Sequence, residues 1–329
     1  MTESGSFAGL LLAWYDLNKR SLPWRGSKDP YRIWISEIIF QQTRIGQGTS
    51  YYLRFIDLFP DIQSLAEADE DQVLGAWQGL GYYSRARNLL YTARLIMEKH
   101  AGVFPVDFHE IAASKGVGNY TASCIASICY GQVEAAVDGN VYRVLSRMYA
   151  DFTPVNSGPA RKRFRAFAQD LIDPERPGDF NEAMMDLGSM LCTPRSPKCN
   201  QCPVRESCKA FALGVQTELP VKTLSQKRSL REINYLLVES AGQLLIKKRK
   251  GPGIWQGLYD LPESLGRNED LIKKIMHPLS HVDLSISFYK PREDAVRLAE
   301  EPECIWIPKE KISQYPFPKP LADFLSEEL

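Results

Sequence analysis

Two acidic residues and one cluster of thiols carry the chemistry that can be read from this sequence. Glu37 lies in Tyr31-Arg32-Ile33-Trp34-Ile35-Ser36-Glu37-Ile38-Ile39-Phe40, a segment apolar on nearly every side. A carboxyl desolvated in an apolar wall has a raised pKa and can hold a proton near neutral pH, which is what a general acid requires. The alternative is a Glu neutralised by a nearby arginine such as Arg25 or Arg143. Asp138 lies just ahead of Val141, Val144, Leu145 and Met148, which fall at helical spacing, so it stands where a carboxylate accepts amide hydrogen bonds and stays charged. A plain helix cap is the competing reading of Asp138.

Cys192, Cys199, Cys202 and Cys208 form a C-x6-C-x2-C-x5-C pattern with prolines between them. Four thiols this close converge on one metal centre, and the spacing suits either tetrahedral zinc or an iron–sulfur cluster. Cys124, Cys129 and Cys304 read as buried or incidental thiols.

The elements that must position these groups follow. Leu10, Leu11, Trp14 and Leu17 predict an amphipathic first helix, and Pro30 opens the helix that carries Glu37. Gly79-Leu80-Gly81-Tyr82 is a glycine-framed bend that places Leu80 and Tyr82 beside basic residues, as a wedge into stacked bases or as core packing. Lys115-Gly116-Val117-Gly118 predicts a tight hairpin before a helix whose free amides suit a phosphate. Helices continue through Phe164–Leu171 and Phe180–Gly188 into the cysteines. Residues 1–215 therefore read as all-helical, 216–231 as a linker, and 232–329 as α+β, opened by a hairpin of Ile233–Val238 and Leu244–Ile246 around Ala241-Gly242.

Lys and Arg total 40 against 40 Asp and Glu, and the balance holds in each half, 23 against 23 in residues 1–215. A nucleic-acid partner would have to be met by local patches. Candidates are Arg161-Lys162-Arg163-Phe164-Arg165, the basic residues beside the cysteines, and Lys247-Lys248-Arg249-Lys250; each also suits a solvated face. The apolar stretch Phe7–Trp14 is too short for a membrane span and lacks a preceding basic region, so no membrane partner and a cytoplasmic setting are expected.

Taken together, Leu22-Pro23-Trp24-Arg25, Trp34-Ile35-Ser36-Glu37 with Gln41-Gln42-Thr43, Trp77 through Leu89, Gly116 through Ala122, Val137 through Val141 and the four cysteines resemble MutY-type adenine DNA glycosylases of the helix-hairpin-helix (endonuclease III) superfamily. The resemblance implies two helical lobes with an iron–sulfur loop and a Nudix-like C-terminal domain. It also implies a 4Fe–4S cluster on Cys192, Cys199, Cys202 and Cys208, and hydrolytic removal of adenine opposite 8-oxoguanine or guanine in double-stranded DNA. A monomer associated with the nucleoid is expected.

On that likeness Glu37, Asp138, Tyr120 and Asn140 are catalytic. Arg25, Gln42, Leu80, Tyr82, Lys115, Gly116, Val117 and Gly118 meet DNA, and Leu279, Ser280 and His281 read 8-oxoguanine. Leu279 replaces the family's usual Phe, and Ser114-Lys115-Gly116 its Leu-Pro-Gly. Bifunctional lyases of the endonuclease III type carry a Lys where this chain has Tyr120, which disfavours that alternative. A catalytically silent DNA-binding module is disfavoured by a carboxylate set within an apolar helix. After Leu261-Pro262-Glu263 the chain continues Ser264-Leu265-Gly266-Arg267, without the glutamate-rich box that pyrophosphate hydrolysis by a Nudix enzyme needs.

Overall fold

A computed structural model describes residues 6–223, 228–264, 269–292 and 303–329. Residues 224–227 of the expected linker, and Leu265, Gly266 and Arg267, lie outside the described residues. The chain forms two compact units, Met1–Ile56 with Thr92–Leu224, and Asp57–Tyr91 with Ser225–Leu329. The second unit thus draws a helical segment from the first part of the chain together with the strands of the last.

The helices are α1 (Phe7–Asn18), α2 (Pro30–Ile39), α3 (Ile45–Leu58), α4 (Ile62–Glu67), α5 (Glu70–Ala76), α6 (Ser84–His100), α7 (Phe108–Ala113), α8 (Asn119–Tyr130), α9 (Gly139–Tyr149), α10 (Ala160–Leu171), α11 (Pro177–Met190) and α12 (Lys209–Leu213). Local chemistry sets their ends. Asp29 caps α2 by accepting from the Tyr31 amide, with Pro30 in the first turn, and Gly131 closes α8 in the left-handed region at φ 68°.

In the first unit Leu11, Leu12, Val141, Leu145, Phe164, Phe180, Met184 and Leu187 bury a common core between α1, α9, α10 and α11, reaching Val204 of the cysteine loop. Ile33, Ile35, Ile38 and Ile39 of α2 are buried as well. At about 1.5–3 kcal/mol for each buried aliphatic side chain, they offset the cost of holding one carboxyl in the same helix. Two glycines let α11 approach its neighbours closely. A Cβ on Gly178 would meet the Ile128 Cα at 2.8 Å, and one on Gly188 would meet the Asn140 Cβ at 2.6 Å.

In the second unit β1 (Ser229–Leu236) pairs in parallel with β6 (Val282–Pro291), which pairs antiparallel with β5 (Glu269–Pro278). A second sheet joins β2 (Glu239–Ser240), β3 (Gln243–Lys248), β4 (Tyr259–Asp260) and β7 (Cys304–Pro308), with β7 on β3. Helix α13 (Lys319–Glu328) covers the first sheet through Phe324, stacked on Phe288 at 3.7 Å between ring centroids.

The expected opening hairpin is shorter than its apolar pattern suggests. Only Glu239-Ser240 pairs with Gln243-Leu244, around Ala241 and Gly242 at φ 47° and 77°, with one added bond from the Leu245 amide to the Val238 carbonyl. The stretch before them runs to β6, some fifty residues on, where the buried Ile233, Tyr235 and Leu236 lie beside Ile286, Phe288 and Tyr289. Among the described residues no helix is long and apolar enough to cross a membrane.

Candidate active site

A cleft of about 980 Å³ in the first unit is lined by Glu37 from α2, Tyr120 and Thr121 from α8, Asp138 at the start of α9 and Asn140 within it. The four residues expected to be catalytic thus share one cavity. Arg20, Arg25, Gln42, Glu182 and Met185 complete much of its wall.

Burial pushes the Glu37 carboxyl up to about 7, and the nearby charges of Asp138 and Glu182 push the same way. The Tyr120 hydroxyl and the Cys124 thiol, both in hydrogen-bonding positions, pull against that rise without cancelling it. Neither arginine suggested as a neutralising partner serves Glu37. Arg25 donates to the Tyr15 hydroxyl at 2.7 Å and to Asp186 at 2.9 Å and pairs with Glu182 at 3.2 Å. Arg143 donates to Asn140 Oδ1 at 2.8 Å and to the Gly188 carbonyl at 2.7 Å.

Asp138 is the cap of α9 and more. Its Oδ1 accepts from the Asn140 and Val141 amides, both at 2.8 Å, and its Oδ2 accepts from Asn140 Nδ2 at 2.8 Å. Three donors at a helix N-terminus fix the orientation of this carboxyl group. The capping and catalytic readings of this residue are therefore compatible, since the cap orients the carboxylate at the cleft. Asn140 in turn is held by Arg143, which is anchored on the Gly188 and Cys192 carbonyls. Tyr120 is half-buried and donates to Met185 Sδ at 3.5 Å.

The residues expected at DNA divide. Gln42 lies exposed on the cleft wall at φ 63°, and Lys115, Gly116 and Gly118 are exposed while Val117 is buried as the pin of the turn. Gly118 caps α8 with no side-chain acceptor, leaving that end to its backbone amides. Arg25 is instead drawn into the Tyr15–Glu182–Asp186 network, so its guanidinium braces the wall.

Leu80 and Tyr82 also part company in the second unit. Leu80 is only 8% exposed, whereas Tyr82, at φ 48° after Gly81, is 47% exposed. Of the proposed wedge pair only Tyr82 protrudes, because the bend turns Leu80 inward as core.

Of the basic run at 161–165, Arg161 lines the cleft while Arg163 and Arg165 pair with Asp151 and Glu134, each at 2.5 Å. In the later run Lys248 pairs with Asp71 and Arg249 with Asp260.

Sequence reasoning passed over Glu182 on the cleft wall and two buried groups, Asp186 and Cys124. The Glu182 carboxyl is raised by burial and restrained by Arg25 and by the Tyr15 hydroxyl at 2.5 Å. Asp186 holds Arg20 at 2.7 Å. Cys124, which reads as a buried or incidental thiol, is buried and lies in a hydrogen-bonding position to Glu37. Two acids four residues apart in the apolar run Phe180–Gly188 were the available signal.

Cys192, Cys199, Cys202 and Cys208 are free thiols that line one small cavity with Arg147. Buried Arg147 donates to Cys192 Sγ at 3.3 Å and to the Thr193 and Pro194 carbonyls at 2.8 and 3.0 Å, placing a guanidinium beside the thiols. Among the described residues no set of Cys, His, Asp or Glu side chains closes tightly enough to hold a single metal ion. Four thiols around one common space suit a metal centre, by spacing either zinc or an iron–sulfur cluster.

Leu279, Ser280 and His281 form the tip of the β5–β6 hairpin in the second unit, closed by the Leu279 amide on the Val282 carbonyl at 2.8 Å. Ser280 and His281 are exposed, and Ser280 Oγ lies 3.3 Å from His281 Nδ1.

Comparison with known proteins agrees with this geometry. Residues 35–167 match the HhH-GPD superfamily of base excision DNA repair proteins, residues 192–208 the iron–sulfur binding domain of endonuclease III, and residues 234–327 the NUDIX domain. An adenine DNA glycosylase of Buchnera aphidicola (subspecies Baizongia pistaciae) is 33% identical over 299 residues, covering 85% of this chain and 84% of that protein. The human adenine DNA glycosylase is 42% identical over 219 residues, covering 64% of this chain and 40% of its own longer length. Among solved structures, a thermostable thymine-DNA glycosylase superposes with a TM-score of 0.57 at 27% identity, over 63% of this chain and 95% of that one. An endonuclease III–DNA complex, at 20% identity and a TM-score of 0.53, shares the fold.

Proposed function

From the premise that this chain belongs to the adenine DNA glycosylase family, we propose that it removes adenine by the paired action of Glu37 and Asp138 on one flipped nucleotide. The enzyme is a monofunctional glycosylase of base excision repair that hydrolyses an N-glycosidic bond in DNA, and its cysteine loop is the family's 4Fe–4S site. The observation that carries the reading is the shared cleft, in which Glu37 titrates near 7 while Asp138 is held by three donors.

Adenine reaches such a cleft only after leaving the duplex, at a cost of a few kcal/mol, and the exposed Tyr82 is a wedge suited to stacked bases. Protonated Glu37 donates its proton to N7 of adenine. The base then departs with the electron pair of the glycosidic bond, and positive charge grows on the sugar. Asp138 stabilises that cation, and Glu37, now ionised, takes a proton from the water that attacks the sugar carbon. The products are free adenine and an abasic site, with Glu37 reprotonated. Two carboxyls held in opposite protonation states are a general solution for cleaving bonds to sugars. Tyr120 and Asn140 orient the two acids.

Where a lyase would need an amine, Tyr120 presents a hydroxyl buried against Glu37 and Met185, so no Schiff base forms there. Cys192, Cys199, Cys202 and Cys208 would hold the cluster, and that cross-link would stiffen the loop they sit on. Gln42, Lys115 and the exposed Gly116 and Gly118, on a turn pinned by Val117, seat the DNA backbone. The exposed Ser280-His281 tip supplies polar groups for 8-oxoguanine opposite the adenine, with Leu279 as its apolar shoulder. Residues 1–215 supply the catalytic region, apart from the 57–91 segment that packs with the C-terminal strands, and 232–329 the reading domain; the protein acts as a monomer on the chromosome in the cytoplasm.

Single-turnover cleavage of duplex bearing A opposite 8-oxoguanine, followed by alkali to break abasic sites, tests the assignment. Glu37→Gln is expected to abolish base release and retain mismatch binding, and full activity in that variant removes Glu37 from its role.

A further inference from the structure

We infer that Asp71 and Arg87 form a clasp that fixes the Leu279–His281 hairpin relative to the Tyr82 bend, and that this clasp sets discrimination of the base opposite adenine. The inference rests on the assignment of base reading to that hairpin.

The clasp lies wholly within the second unit. Asp71 on α5 receives Lys248 Nζ at 2.6 Å and the Tyr259 hydroxyl at 3.0 Å, and Lys248 also lies over the Tyr259 ring at 5.2 Å. Arg87 on α6 donates to the Gln256 carbonyl and, at 3.1 Å, to Gln256 Oε1. Between these contacts Gly257, at φ 87°, crosses α5 so closely that a Cβ would lie 2.7 Å from Glu70 Oε1 and 3.1 Å from Leu74 Cδ1. The 249–258 loop is thus fastened on both sides to the segment that carries the bend.

Each end of the clasp continues to one proposed DNA contact. Arg85, two residues before Arg87 on the same helix, packs over the Trp77 and Tyr82 rings at 5.2 and 5.6 Å. Beside Gln256, Trp255 lies 6.2 Å from His277, which is two residues before Leu279 on β5. A helix turn, a loop pinned at both sides and a paired strand leave little slack between Tyr82 and Ser280. Base contacts at the hairpin therefore stabilise a particular placement of the wedge, instead of acting as an independent tether. Asp71 is a positioning residue whose own charge would repel phosphate, so its loss does not remove a DNA contact.

Asp71→Asn, Tyr259→Phe, the double variant and Ser280→Ala/His281→Ala are to be compared in the full-length holoenzyme, whose circular dichroism verifies folding. The readout is the single-turnover rate on A opposite 8-oxoguanine divided by that on A opposite guanine. Asp71→Asn is expected to lower this ratio about tenfold, the effect of one partly shielded contact, with the rate on A opposite guanine unchanged and the double variant no worse than Asp71→Asn alone. A ratio unaltered in Asp71→Asn but lowered in Ser280→Ala/His281→Ala overturns the clasp and leaves the hairpin reading standing. Equal slowing on both substrates makes the contact merely structural and also overturns it. No change in Ser280→Ala/His281→Ala refutes the hairpin reading, and the clasp falls with it.

Discussion

Glu37→Gln should stabilise the protein at neutral pH while it disables catalysis, and the size of that effect follows from the site. The carboxyl is raised from its usual 4.5 to about 7 in the folded protein, chiefly by burial. At about 1.4 kcal/mol for each tenfold change in proton affinity, holding it ionised above pH 7 costs about 3 kcal/mol. The open cleft admits water, which reduces the effect to roughly 2 kcal/mol. The sign is set by linkage. Between about pH 4.5 and 7 the native state holds a proton that the unfolded chain has released, so stability declines as pH rises across that window. Below it both states are protonated and the penalty vanishes. Gln cannot ionise, so Glu37→Gln and the parent should be nearly equal in stability near pH 4.5 and diverge progressively up to pH 7, with the variant the more stable. Urea unfolding of both proteins in parallel, followed by helical circular dichroism at a series of pH values, measures the difference. Stability curves that stay parallel across the window would show that Glu37 titrates normally, and the general-acid reasoning would fail with them.

Other outcomes follow from the same geometry. The single-turnover rate of base release should decline as pH rises through about 7, where Glu37 loses the proton it donates; a rate that increases over that range would point to a base as the only essential group. Asp138→Asn keeps the cap on α9 but removes the charge facing the sugar, so base release should slow about 10²- to 10³-fold with DNA affinity nearly unchanged, as read by single-turnover cleavage and gel shift. Cys202→Ser should cost the protein its visible absorbance and bound iron and lower its thermal midpoint, whereas an unchanged iron content would exclude Cys202 as a ligand.

Glu37 and Asp138 were legible because their signals are local: an acid inside an apolar helix, and an acid three residues ahead of a helical repeat. The cysteine loop was legible for the same reason. What stayed hidden depends on partners far away in the chain. Arg25 looks like a surface base beside a tryptophan until Glu182 and Asp186, more than 150 residues later, enclose it. Leu80 and Tyr82 share one bend, and only tertiary packing decides which of them turns inward. Likewise β1 has the alternation of a hairpin strand but takes its parallel partner from β6. The grouping of residues 57–91 with the C-terminal strands has no signature at all in composition, since it is made by side chains such as Asp71 and Arg87 that are ordinary surface charges by type.

Gly188 shows how far the demands of this cleft extend beyond its reactive groups. With no room for even a methyl beside Asn140, a change to alanine would push α9 outward and swing the Asp138 carboxylate off its target. A survey of inactivating mutations should therefore recover this position alongside the two acids, although it contributes nothing but the absence of atoms.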